Sequence, residues 1–169
     1  MVDEKVDEKI DDMGITRRDF VVCGAVSAGA TVCLCGLTGC STFTGVGKTP
    51  QIHADAYSIE EGPVVVVNLD KATDLNAVGG SAKIIDSKLG DALIIARVGE
   101  TEYVAASIHC THRGVELEYN HEKKQFVCSS LGSSAFDLKG NRIKGPAEKS
   151  LRIYGVNLEG NLLKVDMTG

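Results

Sequence analysis

From residue 62 onward the chain alternates short apolar runs with glycine, asparagine or aspartate breaks. The β-branched run Val64-Val65-Val66-Val67-Asn68-Leu69 behind Pro63 predicts a strand. Stretches 82–85, 92–98 and 103–108 predict three more, with turns at Ser87-Lys88-Leu89-Gly90-Asp91 and Gly99-Glu100-Thr101. Stretches 115–119 and 125–127 predict a hairpin around Asn120-His121-Glu122-Lys123. Short strands follow at 135–138 and 142–144, turning at Lys139-Gly140-Asn141. A last hairpin joins 151–158 to 162–166 through Glu159-Gly160-Asn161. Helical periodicity is scarce; 70–78 allows one helical turn closed by Gly79-Gly80. Many short strands at regular spacing predict an all-β, antiparallel sandwich or small barrel, and periodicity does not choose between them. Residues 41–61 carry Ser, Thr and Gly without a sustained period and read as a linker.

The N-terminal part has a different pattern. Residues 1–15 are polar and acidic, as a solvated tail is. Thr16-Arg17-Arg18-Asp19-Phe20-Val21 resembles a twin-arginine export signal. Residues 20–39 then run uncharged for twenty positions, long enough to cross a hydrocarbon core as a helix. Leu37-Thr38-Gly39-Cys40-Ser41 resembles a bacterial lipobox, which makes Cys40 the expected lipidation site. Cleavage before Cys40 and an uncleaved transmembrane anchor both place the body outside the cytoplasm, tethered to a membrane. The expected organisation is a signal or membrane segment at 1–39, a tether at 40–61 and a folded domain at 62–167.

Composition narrows the function classes. The 169 residues suffice for one domain plus an appendage. A net charge of −5, with no basic stripe interleaved with aromatics, argues against a nucleic-acid partner. Of six cysteines, Cys23, Cys33, Cys35 and Cys40 fall in the N-terminal apolar stretch, and Cys110 and Cys128 in the body. Two body cysteines allow one bridge or one metal site, not a disulfide scaffold. No phosphate loop, nucleophile–base pair or carboxylate pair suggests hydrolysis.

The chemistry concentrates in two boxes. The first is His109-Cys110-Thr111-His112-Arg113-Gly114; the second is Cys128-Ser129-Ser130-Leu131-Gly132-Ser133-Ser134-Ala135-Phe136-Asp137. Each has a cysteine on a glycine-containing loop, and together they look like a split metal site. With Phe136-Asp137-Leu138-Lys139-Gly140, Gly145-Pro146-Ala147 and Leu151-Arg152-Ile153-Tyr154, they resemble a Rieske iron–sulfur domain over roughly residues 62–167. The resemblance implies a Rieske-like antiparallel base domain with a small cluster-binding insert at about 109–137. It also implies a [2Fe-2S] cluster in which two thiolates hold one iron and two imidazoles the other. Cys110 and Cys128 match the thiolate ligands and His112 matches one imidazole. The Gly145-Pro146-Ala147 segment resembles the loop that covers the cluster from a third side.

The second imidazole has no counterpart. The matching position is Leu131, or Gly132 if the box is one residue longer than usual, and neither binds iron. Three readings follow. A cluster binds through Cys110, His112 and Cys128, with Ser129, Ser130, Ser133, water or a neighbouring side chain completing the set. Alternatively the domain is a cluster-less structural or interaction subunit in which Leu131 fills the vacated space. Cys110 and Cys128 then form a disulfide, closing a loop of about eighteen residues worth about 3 kcal/mol. In the third reading the two cysteines and His112 hold another metal such as zinc. His109, a strand-end residue, is expected to point away from the site. Ser133 and Ser134 are candidate donors to a cluster sulfur. His53 and His121 read as solvated, Arg113 and Glu116 as surface charges, and Tyr154 and Phe136 as core. The function implied by the resemblance is a membrane-tethered, extracytoplasmic electron carrier, or the Rieske subunit of a quinol-oxidising respiratory complex. Its expected partners are redox proteins such as a cytochrome or a membrane quinol-oxidising subunit.

Overall fold

The structure is a computed structural model that describes residues 48–131 and 133–168. The stretches expected to form an export signal and a membrane segment, and the expected lipidation site Cys40, lie outside the described residues. Among the described residues no helix is long and apolar enough to cross a membrane.

Among the described residues eleven strands form two antiparallel sheets. They are β1 Tyr57–Glu60, β2 Val64–Asn68, β3 Ser81–Ile84, β4 Leu93–Arg97, β5 Tyr103–Ser107, β6 Leu117–Asn120, β7 Gln125–Cys128, β8 Ala135–Asp137, β9 Arg142–Lys144, β10 Ile153–Glu159 and β11 Leu162–Asp166. The base sheet runs β1-β2-β11-β10-β5-β4-β3, and the smaller sheet runs β6-β7-β8-β9. Strand β10 belongs to both halves of the base. Ile153 and Tyr154 pair with β5, whereas the residues from Gly155 to Glu159 pair with β11. One strand switching partners along its length curls the base sheet, so the all-β expectation holds. The helical turn expected within 70–78 is a short 3₁₀ segment, Thr73–Leu75.

Strand β4 explains how the smaller sheet is held. Its side chains alternate between faces, and both faces are buried. Leu93 and Ile95 enter a core with Val65, Val67, Leu75, Leu163 and Tyr154. Ile94 enters a second core with Ile108, Leu117, Phe126, Phe136, Cys110 and Cys128. A strand covered on both sides reads as a continuous apolar run, as Leu93-Ile94-Ile95-Ala96 does. The smaller sheet therefore packs on the outer face of the base through Leu117, Phe126 and Phe136, and both cysteines sit in that second core.

The linker expected at 41–61 is shorter than its composition suggested. Tyr57–Glu60 pairs with Val64–Val67 as a hairpin, turning through Gly62 at φ +87°. Ile52 is buried, and its N–H donates to the Lys83 carbonyl at 2.9 Å. These residues belong to the folded domain because a buried apolar anchor and backbone pairing hold them there.

Candidate metal centre

Three loops converge on the second core. The first leaves β5 through Ile108, whose N–H donates to the Ala92 carbonyl. Cys110 N–H donates to Val115 O at 2.9 Å, and Gly114 N–H returns to Cys110 O at 2.8 Å. These bonds close the 110–115 loop, and Gly114 supplies the left-handed turn at φ +70°. The second loop leaves β7 at Cys128, whose N–H donates to Ser134 O at 2.9 Å. Within it Ser133 N–H donates to Ser130 O at 3.1 Å, a tight turn that carries Leu131 at its tip. The third loop contains Gly145-Pro146-Ala147. Thr111 Oγ1 donates to Lys149 O at 2.8 Å and ties the first loop to the third.

Ser134 joins all three loops. Its hydroxyl accepts from Ala147 N–H at 3.0 Å and hydrogen-bonds the Cys110 thiol, and only 1% of the residue is exposed. Gly145 explains the close approach. At φ +92°, a Cβ on it would stand 2.4 Å from Ser134 Cα, so no larger residue fits without moving backbone.

Cys110 and Cys128 are 2% and 4% exposed. They are free thiols in hydrogen-bond contact with each other. Burial pushes the Cys110 thiol above its ordinary value. The His112 backbone N–H and the Ser134 hydroxyl pull it down, while the Cys128 thiol pushes it up again. A bare thiolate is therefore disfavoured here, and a coordinated metal cation reverses that balance. Cys128 Sγ lies 3.1 Å from Ser130 Oγ, which gives Ser130 the supporting contact expected of it. Ser133 contributes its backbone turn. Of Ser133 and Ser134, it is Ser134 whose hydroxyl reaches a thiol, that of Cys110.

His112, Thr111, Arg113 and Gly114 are exposed on the first loop. Leu131 is fully exposed, at 105%, and this corrects the expectation that it fills the vacated ligand space. It stands at the tip of a turn, where an apolar side chain has nothing to pack against. Among the described residues no three His, Cys, Asp or Glu side chains converge on one point.

The remaining candidates resolve individually. His109 points away from the thiols, its Nδ1 3.0 Å from Asp91 Oδ1. Asp91 Oδ2 accepts from the Tyr154 hydroxyl at 2.8 Å. Burial raises the Asp91 carboxyl, but hydrogen bonds from Ser107, His109 and Tyr154 outweigh it and hold the group below its ordinary value. Burial, followed by the bond to Asp91 and its charge, pushes the Tyr154 phenol up to about 12. His121 is not simply solvated: its ring packs against Gly79 and its Nδ1 lies 3.2 Å from the Tyr119 hydroxyl. His53 is exposed ahead of the Ala54–Ala56 turn. Glu116 is not a surface charge. Its Oε2 meets Lys83 Nζ at 2.8 Å, with the two side chains 15% and 9% exposed. The Glu116 carbonyl accepts from both Ser129 N–H and Ser129 Oγ, so this pair braces the second loop from the base sheet. A lysine between Ala82 and Ile84 in a buried strand was the available sequence signal.

Residues 64–155, just over half of the chain, match the family model described as the Rieske [2Fe-2S] domain. The chain is 30% identical over 88 residues to the cytochrome b6-f complex iron-sulfur subunit of Prochlorococcus marinus strain MIT 9301, a match over 51% of this chain and 49% of that one. It is 32% identical over 81 residues to the cyanelle cytochrome b6-f complex iron-sulfur subunit 2 of Cyanophora paradoxa, covering 47% of this chain and 33% of the relative. The chain thus spans about half the length of the first relative and a third of the second. Among solved structures it is similar to the cyanobacterial plasma membrane Rieske protein of Synechocystis PCC 6803, at 28% identity. That match has a TM-score of 0.46 and covers 55% of this chain and 91% of the other.

The matched family implies a [2Fe-2S] cluster as cofactor. The thiolate half fits: Cys110 and Cys128 are side by side and buried, with hydroxyls of Ser134 and Ser130 beside their sulfurs. The imidazole half does not fit a four-ligand cluster. It has His112 alone, and the second-box position carries the exposed Leu131.

Proposed function

Because the chain belongs to the Rieske [2Fe-2S] domain family, we propose that it is a membrane-tethered, extracytoplasmic electron-transfer protein. In this reading it serves as a one-electron carrier or as the iron–sulfur subunit of a quinol-oxidising complex. The observation that carries the reading is the buried Cys110–Cys128 pair, presented from two loops and ringed by hydrogen-bond donors. A [2Fe-2S] cluster supplies reversible one-electron chemistry when bound. The chain's own residues prepare for it. Cys110 and Cys128 offer sulfur inside an apolar wall of Leu117, Phe126 and Phe136 that excludes water. Ser134, Ser130 and the His112 N–H stabilise negative charge on that sulfur. His112, exposed on the first loop, is the group left to face a partner or a quinol. Membrane tethering rests on the uncharged 20–39 stretch and the Cys40 lipobox. Redox partnership in a membrane complex rests on relatives that are cytochrome b6-f subunits.

The test is full-length protein purified anaerobically, assayed for iron and acid-labile sulfide, visible absorbance and the EPR signal of the reduced state. A coloured protein with iron and sulfide in equal amounts is expected. A colourless, iron-free protein that stays so after reconstitution with ferrous iron and sulfide overturns the reading.

A further inference from the structure

The three loops that converge on the thiols also form one end of the smaller sheet, and the surface of that end is apolar at its corner and basic around it. Leu131 is 105% exposed, whereas Val78, Ile85 and Ile143, the other exposed large apolar residues among those described, reach 46%, 44% and 49%. Pro146 is exposed on the third loop, which packs on the second where Gly145 meets Ser133 and Ser134. Exposed cations stand around them. Arg113 is on the first loop, Lys149 on the third, and Lys144 on β9 opposite Ala135. Arg142 also belongs here, because its guanidinium donates to Gly145 O at 3.0 Å. Glu148 is the one carboxylate on loops 110–115, 128–134 and 145–150, and Glu116 beside them faces Lys83. Arg113, Arg142, Lys144, Lys149 and Glu148 together carry +3, in a chain that from Lys48 onward has 14 basic and 16 acidic residues. Positive charge is thus concentrated at the loop end of an otherwise acidic domain. The chain also enters the domain at this end. Lys48 N–H donates to Glu118 Oε1 at 2.6 Å, and Glu118 is one residue along β6 from Leu117, which pairs with Cys128. Eight residues, 40–47, separate Lys48 from the uncharged 20–39 stretch, a reach of about 30 Å at most.

We propose that the loop end docks on the anionic surface of the membrane that holds the chain, with Leu131 entering the headgroup layer and the four cations meeting lipid phosphates. The inference rests on the membrane-tethered part of the reading above and needs no bound cofactor. One leucine and one proline fall far short of the roughly 800 Å² that each partner gives to a stable protein interface. A lipid surface asks for less: shallow burial of an apolar group, together with attraction between nearby cations and anionic headgroups. The short tether supplies the rest. It leaves the domain beside the loops, keeps the cations within reach of the surface and makes docking an intramolecular event. Because Leu131 is already exposed, no side chain has to leave for it to enter lipid.

The experiment reconstitutes the full chain with vesicles of phosphatidylcholine alone or mixed with phosphatidylglycerol, and recovers bound protein by flotation. The chain has no tryptophan, so Leu131→Trp places a single reporter at the exposed corner. On the anionic vesicles its emission is expected to shift to the blue and to be quenched by lipids brominated on the acyl chain near the headgroup. On phosphatidylcholine alone it is expected to stay as in water. Val78→Trp is the control. Val78 adjoins Gly79, which packs on His121 at the other end of the smaller sheet, and its reporter is expected to stay in water on both vesicles. Lys144→Ser and Lys149→Ser, each added to Leu131→Trp, are expected to lower the ratio of docked to undocked reporter about fivefold. Thr111 bonds the main-chain oxygen of Lys149, so the second change leaves that tie in place. Protein that floats but whose Leu131→Trp emission is the same on both vesicles overturns the docking, assigns the loop end to a protein partner and leaves the tether standing. Quenching that neither lysine variant reduces overturns it as well. A full chain that floats with neither vesicle overturns the tether, and this inference with it.

Discussion

Lys83→Met tests how far the inner loops depend on one buried charge. Lys83 Nζ and Glu116 Oε2 are 2.8 Å apart, and their side chains are 9% and 15% exposed. Lys83 stands on β3 of the base, and Glu116 carries the carbonyl that holds Ser129. A surface pair in this geometry is worth at most about 1 kcal/mol. A buried pair behaves differently, because removing one partner leaves the other charge in a poorly solvated place at a cost of about 3–5 kcal/mol. Slight residual exposure puts this pair at the low end, so Lys83→Met is expected to cost about 3 kcal/mol. With a urea dependence of about 2 kcal/mol per molar, the unfolding midpoint falls by about 1.5 M. The assay is urea unfolding of the full chain, followed by circular dichroism of the strands. Lys83→Met/Glu116→Leu removes both charges and is expected to recover most of the loss, since apolar replacement of a buried pair is often neutral. A single-variant loss under about 1 kcal/mol, or a double variant no better than the single, refutes the buried-pair argument.

Two further outcomes follow from the same geometry. Gly145→Ala forces a Cβ to 2.4 Å from Ser134 Cα at a backbone φ of +92°. It is expected to cost at least about 2 kcal/mol in the same urea assay, and an unchanged midpoint refutes the packing argument. Tyr154 keeps its proton up to about 12 in the folded chain, against an ordinary value of 10.0. The folded state binds more protons in that window, so stability is full below about 10 and is lost as pH rises towards about 12. Tyr154→Phe is expected to flatten the alkaline fall in urea midpoint, and a slope equal to the parent's counts against the assignment.

The fold was legible where the pattern is local. The run 64–69, the turn residues Gly140-Asn141 and Gly160-Asn161, and the paired boxes all announce themselves within a few positions. Strand β1 was missed although Tyr57-Ser58-Ile59-Glu60 alternates and Gly62 follows. Four residues beside a Ser/Thr/Gly-rich stretch are too few for periodicity to stand out. The ion pair Lys83–Glu116 joins positions 33 apart, and Asp91 gathers His109 and Tyr154 from 18 and 63 positions away. No local pattern encodes such meetings; they exist only once β3, β4, β5 and β10 are side by side. Cys110 and Cys128 were legible for the opposite reason, since ligands of fixed type recur at fixed spacing whatever the surrounding packing.

Leu131 shows why residue type alone misleads at a loop tip. An apolar residue in place of a ligand invites the inference that it fills the empty site. Fully burying a leucine is worth about 1.5–3 kcal/mol, so such a replacement would compensate for the lost donor. The turn closed by Ser133 N–H on Ser130 O decides otherwise, because it carries residue 131 at its outer corner. A side chain there points to solvent whatever its polarity, and Leu131 at 105% exposure gains no burial. The substitution therefore removes a donor without adding a core contact. Ser134, the Ala147 N–H and the Gly145 close approach still shape the sulfur side as though a group were to be held there. A site that had drifted to a purely structural role would have little reason to keep a buried pair of free thiols in an otherwise apolar core, with a hydroxyl beside each. The retained sulfur half, rather than any burial gained by Leu131, is what ties this loop pair to its family's cofactor.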